Sequence, residues 1–225
     1  MGKIPISQWH RNGIEWPSDV ETDGQDLELD CGTGKTLRLV QPVFDDIRVP
    51  VLSTRRGGSR FPGLAKFKDD GAGSQGVFFE WVDDDSEEEL YFTLQLPHSY
   101  KYGTDLEPHV HWTPKVNGTA GQLVGWGLEY TFQEIGGDFA DTTIIYANSH
   151  SPADSILVAG RHYLTAFAAI SGASIDSVSA MMTCRIFWES TGTGTPDDLA
   201  QDAGLLEIDF HFQIDTLGSR TEYTK

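Results

Sequence analysis

The sequence predicts an all-β protein, an antiparallel β-sandwich of jelly-roll type with an extended N-terminal arm or hairpin. Three observations carry that expectation. Apolar residues recur at every second position in stretch after stretch, as they do on a strand with one face buried. Turn-forming clusters such as "KVNGTAG", "EIGGDF" and "STGTGTPDD" separate those stretches. The composition, with 24 Gly, 10 Pro and 11% aromatic residues, favours strands and turns over helices. The 225 residues, 39% of them hydrophobic, suffice for one substantial core. No repeat of about 20–50 residues is visible, which argues against a solenoid or propeller.

Residues 1–60 read as an N-terminal arm or hairpin region. "LELDCGTGKTLRLV" alternates Leu27, Leu29 and Cys31, turns at Gly32–Gly34, and alternates again at Leu37 and Leu39. "QPVFDDIRVPV" is extended and interrupted by prolines. Residues 61–225 read as the sandwich domain. "ELYFTLQL" turns Leu90, Phe92, Leu94 and Leu96 to one face, and "LVGWGLEYTF" does the same with Val124, Trp126, Leu128, Tyr130 and Phe132. "VSAMMTCRIFW" aligns Val178, Ala180, Met182, Cys184, Ile186 and Trp188. "LLEIDFHFQID" places Leu206, Ile208, Phe210, Phe212 and Ile214 inward, with Glu207, Asp209, His211 and Gln213 outward. "TTIIYA" and "SILVA" are shorter strand candidates, and "RHYLTAFAAI" fits a strand or a short helix.

The formal net charge of -18, from 34 acidic and 16 basic residues, sets the surface against phosphate backbones and anionic lipid. Neither nucleic acid nor membrane is an expected partner. Two cysteines, Cys31 and Cys184, are too few for a disulfide framework. Cys184 lies in an apolar run and reads as a small buried residue.

Several motifs resemble chemistry and fail on context. "CGTGKT" lacks the first glycine of a phosphate loop and is followed by a strand pattern, so it is a hairpin turn. "GAGSQG" matches Gly-x-Gly-x-x-Gly without the strand before it and the helix after it, so it is a loop. The acidic run Asp83–Glu89 lacks EF-hand spacing. "NGT" at Asn117 is first a turn signal. Asp45–Asp46 and Asp197–Asp198 are paired carboxylates in turn-like settings, and no catalytic set is visible in local spacing.

The stretch "YGTDLEPHVHW" raises the sharpest question. His109 and His111 sit at i and i+2 and share a strand face, so they can meet one ion. Gly103 to His111 matches the opening Gly-x5-His-x-His of the first cupin motif. The carboxylate that should follow is replaced by Lys115 and Val116, and the second cupin motif has no good match. His211, His98 and His162 are the remaining candidates for a third ligand. Two donors without a carboxylate fall short of a competent metal site, so the sequence reading assigns no metal and no cofactor.

"ELYFTLQLPHSYKYGTDLEPHVHW", "LLEIDFHFQIDTLGSRTEYTK" and "VFDDIRVPV" followed by "DGAGSQGVFFEWVD" resemble a family of tailed-bacteriophage virion proteins, over roughly residues 40–225. The resemblance implies a virion component: a capsid decoration or cement protein, or a part of a tail or fibre. It carries no catalytic residues, and the expectation is a structural protein, not an enzyme. Such a protein is made in the host cytoplasm and released by lysis, which suits the absence of an apolar leader. Its partner would be the major capsid protein or another virion protein, and a homotrimer would suit capsid junctions. Val43, Phe44, Ile47, Val49, Val51 and Leu52 are the expected apolar contact strip, with Arg55, Arg56 and Arg60 as the adjoining positive charge. His109, His111 and His211 are the candidate polar face between subunits. In a tail or fibre, Trp112 or Trp126 would be the rings offered to a host glycan.

Overall fold

The computed structural model describes residues 27–29, 37–72, 77–82, 87–150, 156–189, 199, 202–219 and 221–224. The turn at Gly32–Gly34, Cys31, the last four residues of "GAGSQG", most of the acidic run and Asp197–Asp198 lie outside them. Twelve strands follow in chain order: β1 (Leu27–Leu29), β2 (Leu37–Pro50), β3 (Arg55–Arg56), β4 (Gly63–Lys68), β5 (Val77–Val82), β6 (Glu89–Gln95), β7 (Glu107–Pro114), β8 (Leu123–Gln133), β9 (Thr143–His150), β10 (Tyr163–Ala166), β11 (Met181–Trp188) and β12 (Ala203–Thr216). The only helical piece among the described residues is a single 3-10 turn, Val51–Ser53.

Eight of these strands make the body. One sheet runs β2–β12–β7–β10 and the other β6–β11–β8–β9, with every neighbouring pair antiparallel. Along the chain the strands pass repeatedly from one sheet to the other, and the first of the eight lies beside the last. That is the jelly-roll arrangement. The hairpin of β1 on β2 is present, with Leu27 opposite Leu39. β4 and β5 form a second hairpin joined to the start of β12, and β3 borders β6. β2 and β3 therefore belong to the two sheets, and the sandwich takes in residues 37–56 of the segment expected to be an arm.

Alternation predicts the core well. Leu90, Phe92, Leu94, Leu96, Val124, Trp126, Leu128, Ala180, Met182, Cys184, Ile186 and Trp188 are all buried in it. The interior is filled by aromatic rings. Trp126 lies 5.2 Å from Trp188 and 6.5 Å from Trp112, and Tyr163 stacks on Trp112 at 5.2 Å. The Trp112 indole donates to the Thr165 hydroxyl at 3.0 Å, so its one polar atom is satisfied inside the sandwich. Cys184 is buried and free, and burial pushes its thiol well above the ordinary value.

One element differs from the sequence expectation: "SILVA" forms no strand within its described residues. "RHYLTAFAAI", which fits a strand or a short helix, supplies β10. On β12, Leu205 takes the core place expected of Leu206. The cause is a bulge: Leu205 faces Trp112 and Glu207 faces His111, so Leu206 is an extra residue without a partner on β7. Beyond it the expected phase holds, with Ile208, Phe210 and Phe212 buried.

The outer face of the second sheet is organised by Arg185. Its guanidinium donates to Glu129 at 2.8 Å and Glu89 at 2.7 Å and lies 4.1 Å over the Phe187 ring. The Thr142 hydroxyl, at 2.5 Å, and then Arg185 hold the Glu129 carboxyl below its ordinary value, against the opposing effect of burial. A carboxylate depressed in the folded state contributes stability above its unfolded pKa, and that stability is lost as pH falls through the folded value. Urea midpoints should therefore fall for the native protein as pH drops below about 4.3, the ordinary Glu value. They should fall less over the same window for Glu129→Gln. Gly172 gives a second test. A Cβ there would strike the Thr104 carbonyl and the Tyr100 hydroxyl, which are themselves hydrogen bonded. Gly172→Ala should cost about 1–3 kcal/mol in urea unfolding, because backbone cannot step aside as a side-chain tip can.

Candidate functional site: a histidine and aspartate cluster

The two central strands of the first sheet place the histidines. On β7, Val110 and Trp112 are buried in the core, so His109 and His111 must face the other side of the sheet. On β12, Ile208, Phe210 and Phe212 point inward, so Asp209 and His211 face outward. Register then brings the groups together, with Asp209 directly opposite His109 on β7. On its other side His211 lies opposite Asp46 of β2.

The resulting cluster is close-set and largely shielded from water. His109 is 5% exposed and Asp209 6%, unusual for polar groups on an outer sheet face. The His109 Nε2 abuts Asp209 Oδ1, and His111 Nε2 lies 3.3 Å from Asp209 Oδ2. The first contact is close without the alignment of a hydrogen bond, and Oδ1 is buried with no hydrogen-bond partner. His111 Nδ1 is 2.7 Å from His162 Nε2, one nitrogen donating and the other accepting. Burial is the main influence on His109 and pushes its pKa below the ordinary imidazole value, against the pull of the Asp209 charge. His211 packs 4.5 Å from His109, ring centre to ring centre, and its Nε2 meets Asp46 Oδ1 at 3.0 Å. Beside these rings opens a cavity of about 300 Å³, lined by Glu107, His109, Leu164, Phe167 and His211 among others.

Of the ligands weighed in the sequence, His162 and His211 join the cluster. His98 does not: its two ring nitrogens are held by Ser219 at 2.6 Å and Ser179 at 2.9 Å. The carboxylate missing after His111 comes from Asp209, 98 residues further on. Asp209 was legible only as an outward strand residue. The available signal was that "DFH" on one strand repeats the outward pattern of "HVH" on another.

The expected contact strip divides in two. Val49 is buried in the sandwich core and Ile47 packs against it, because β2 alternates like any half-buried strand, and Val51 is buried in the 3-10 turn that follows. Phe44 (54% exposed) and Leu52 (78% exposed) remain on the surface, and Val43 is half-buried. Arg55, Arg56 and Arg60 are exposed; Arg56 lies 5.5 Å over the Phe61 ring and Arg60 pairs with Glu87 at 2.9 Å. Trp112 and Trp126 are wholly buried, so neither offers a ring to a glycan. Asn117 accepts a hydrogen bond from the Ala159 amide at 2.9 Å.

The residues and their pairing define the class: a jelly-roll β-sandwich whose polar cluster sits outside the barrel of core side chains. No known family profile and no curated protein matches the chain. Among solved structures it is similar to a chain of infectious bursal disease virus strain Gx, with 12% identity and a TM-score of 0.33 over 88% of this chain and 43% of that one. The Gt strain of that virus gives 12% identity and 0.35 over 88% and 40%. The CBM22-2 xylan-binding domain of Paenibacillus barcinonensis Xyn10C gives 13% and 0.35 over 76% and 99%. The chain thus spans less than half the length of the viral chains it matches. These likenesses decide neither its fold, which rests on the strand pairing, nor its role.

The cluster predicts a stability effect. Asp209→Ala removes the carboxylate oxygen that His111 Nε2 meets at 3.3 Å and should cost about 1–3 kcal/mol, read from urea unfolding at neutral pH.

Proposed function

We propose that this chain is a virion structural protein of a tailed bacteriophage, a decoration or cement protein that binds across neighbouring subunits of the major capsid protein. The observation that carries the reading is the filled sandwich. Trp112, Trp126 and Trp188 occupy the interior with no exposed surface, so what the domain offers a partner is its outside. The sequence resemblance over roughly residues 40–225 supports the same role, and so does a charge of -18, which keeps a protein away from packaged nucleic acid. In this reading the work is adhesion, without turnover of a substrate.

Phe44 and Leu52 are the apolar contacts, flanked by Arg55, Arg56 and Arg60 for acidic partner surface. Each contact is modest, and many copies on one shell supply the avidity. A homotrimer at a local threefold junction lets every copy make the same contact, with His211 and the exposed edge of His111 near the axis.

The test uses capsids of the encoding phage, stripped of accessory proteins by mild denaturant. Purified chain should rebind at a fixed ratio and raise the temperature at which the shells release DNA. The Phe44→Asp, Leu52→Asp double variant should bind at least about tenfold more weakly, a loss of about 1.4 kcal/mol. Failure of the native chain to rebind any shell or tail sub-assembly would overturn the reading. Sedimentation of the free chain as a monomer at all concentrations would remove the trimer.

A further inference from the structure

The cluster on the outer face of β7 and β12 contains more than a set of mutual hydrogen bonds. We propose that His109, His111 and Asp209 bind one divalent transition-metal ion of the zinc class. The three side chains each present a ligand atom, and these atoms all lie within 4.8 Å of one another. Two donors about 2.0–2.1 Å from one tetrahedral ion stand about 3.3–3.4 Å apart. His111 Nε2 and Asp209 Oδ2 are separated by 3.3 Å.

The second observation is the state of Asp209. Its Oδ1 is buried, aimed at His109, and has no hydrogen-bond partner. A carboxylate oxygen in that position is costly unless a cation meets it. The surroundings also suit ligation. A metal-bound imidazole is usually oriented by a hydrogen bond from its other nitrogen. His111 has His162 on its Nδ1, at 2.7 Å.

Donor chemistry selects the ion. Two nitrogens and one carboxylate suit Zn²⁺ and its first-row neighbours, whereas Ca²⁺ and Mg²⁺ prefer shells of oxygen. The neighbouring trio of Asp46, Asp209 and His211 shares the same carboxylate. It is the weaker candidate, since Asp46 is exposed and already paired with His211. The ion joins residues from strands 98 positions apart in the chain, so it binds the folded arrangement and stabilises it by mass action. It would act as a pin across the middle of the sheet, and the proposal is independent of what the protein decorates.

The experiment uses the whole chain, dialysed against EDTA and titrated with ZnCl₂ in a calorimeter, with thermal unfolding followed in parallel. About one equivalent should bind, with a rise in the unfolding temperature. Asp209→Asn and His111→Ala should each weaken binding at least about tenfold, and His162→Ala by about 10- to 100-fold, as removal of an orienting partner does. His98→Ala should bind as the native chain does. Circular dichroism checks each variant's fold. If Asp209→Asn does not fold, the more exposed His111→Ala carries the test alone. Binding of less than a tenth of an equivalent would overturn the proposal. So would native affinity in His111→Ala, a loss in His98→Ala equal to that in His111→Ala, or CaCl₂ binding as tightly as ZnCl₂.

Discussion

The register of β7 against β12, at the centre of the first sheet, is the constraint on which the rest depends. One pairing simultaneously sends Val110 and Trp112 into the sandwich with Ile208 and Phe210, and sets His109 opposite Asp209 on the far side. A slip of one residue would move every side chain to the opposite face and drive buried aromatics into water. Core packing therefore fixes the outer cluster far more firmly than the cluster's own contacts could. The bulge at Leu206 belongs to the same constraint. By absorbing one residue it reconciles the start of β12, which serves β5 as well as β7, with the phase needed further along.

The two outer faces are built on different chemistry. The first sheet gathers imidazoles around a shielded carboxylate, with Arg48 reaching across from β2 to Glu207 at 2.7 Å. The second gathers carboxylates around a single guanidinium, Arg185. The second satisfies its carboxylates locally, whereas the first keeps one oxygen of its buried carboxylate without a hydrogen bond. Exposed apolar side chains are scattered over the described surface, among them Phe44 within β2, Leu52 in the turn after it, Ile135 and Leu217.

Much of this was legible in the sequence because strand alternation is a local code. The inward positions of β6, β8 and β11 could be read directly, and so could the shared face of His109 and His111. Three things could not. The bulge at Leu206 is a property of two strands together, and one strand's pattern does not reveal it. Asp209 became a partner of His109 only through pairing between distant segments. The N-terminal region read as an arm because its prolines and charges interrupt the alternation, yet Ile47, Val49 and Val51 keep the period that seats β2 beside β12. Nothing in residues 1–60 alone shows which strand would accept them.

That seating has a bearing on how the molecule comes into being. Arg48 and Glu207, which pair across β2 and β12, are 159 residues apart. During synthesis β2 leaves the ribosome long before β12 exists, and the edge that β12 will occupy stays open while the residues between them are made. Topologies dominated by such distant pairings form slowly and expose unpaired strands meanwhile. In the second sheet only β8 and β9 are consecutive, and β6 joins β8 through β11, so that sheet too closes on a late strand. The histidine cluster, which joins β7 to β12, takes shape only once β12 has found its place between its neighbours.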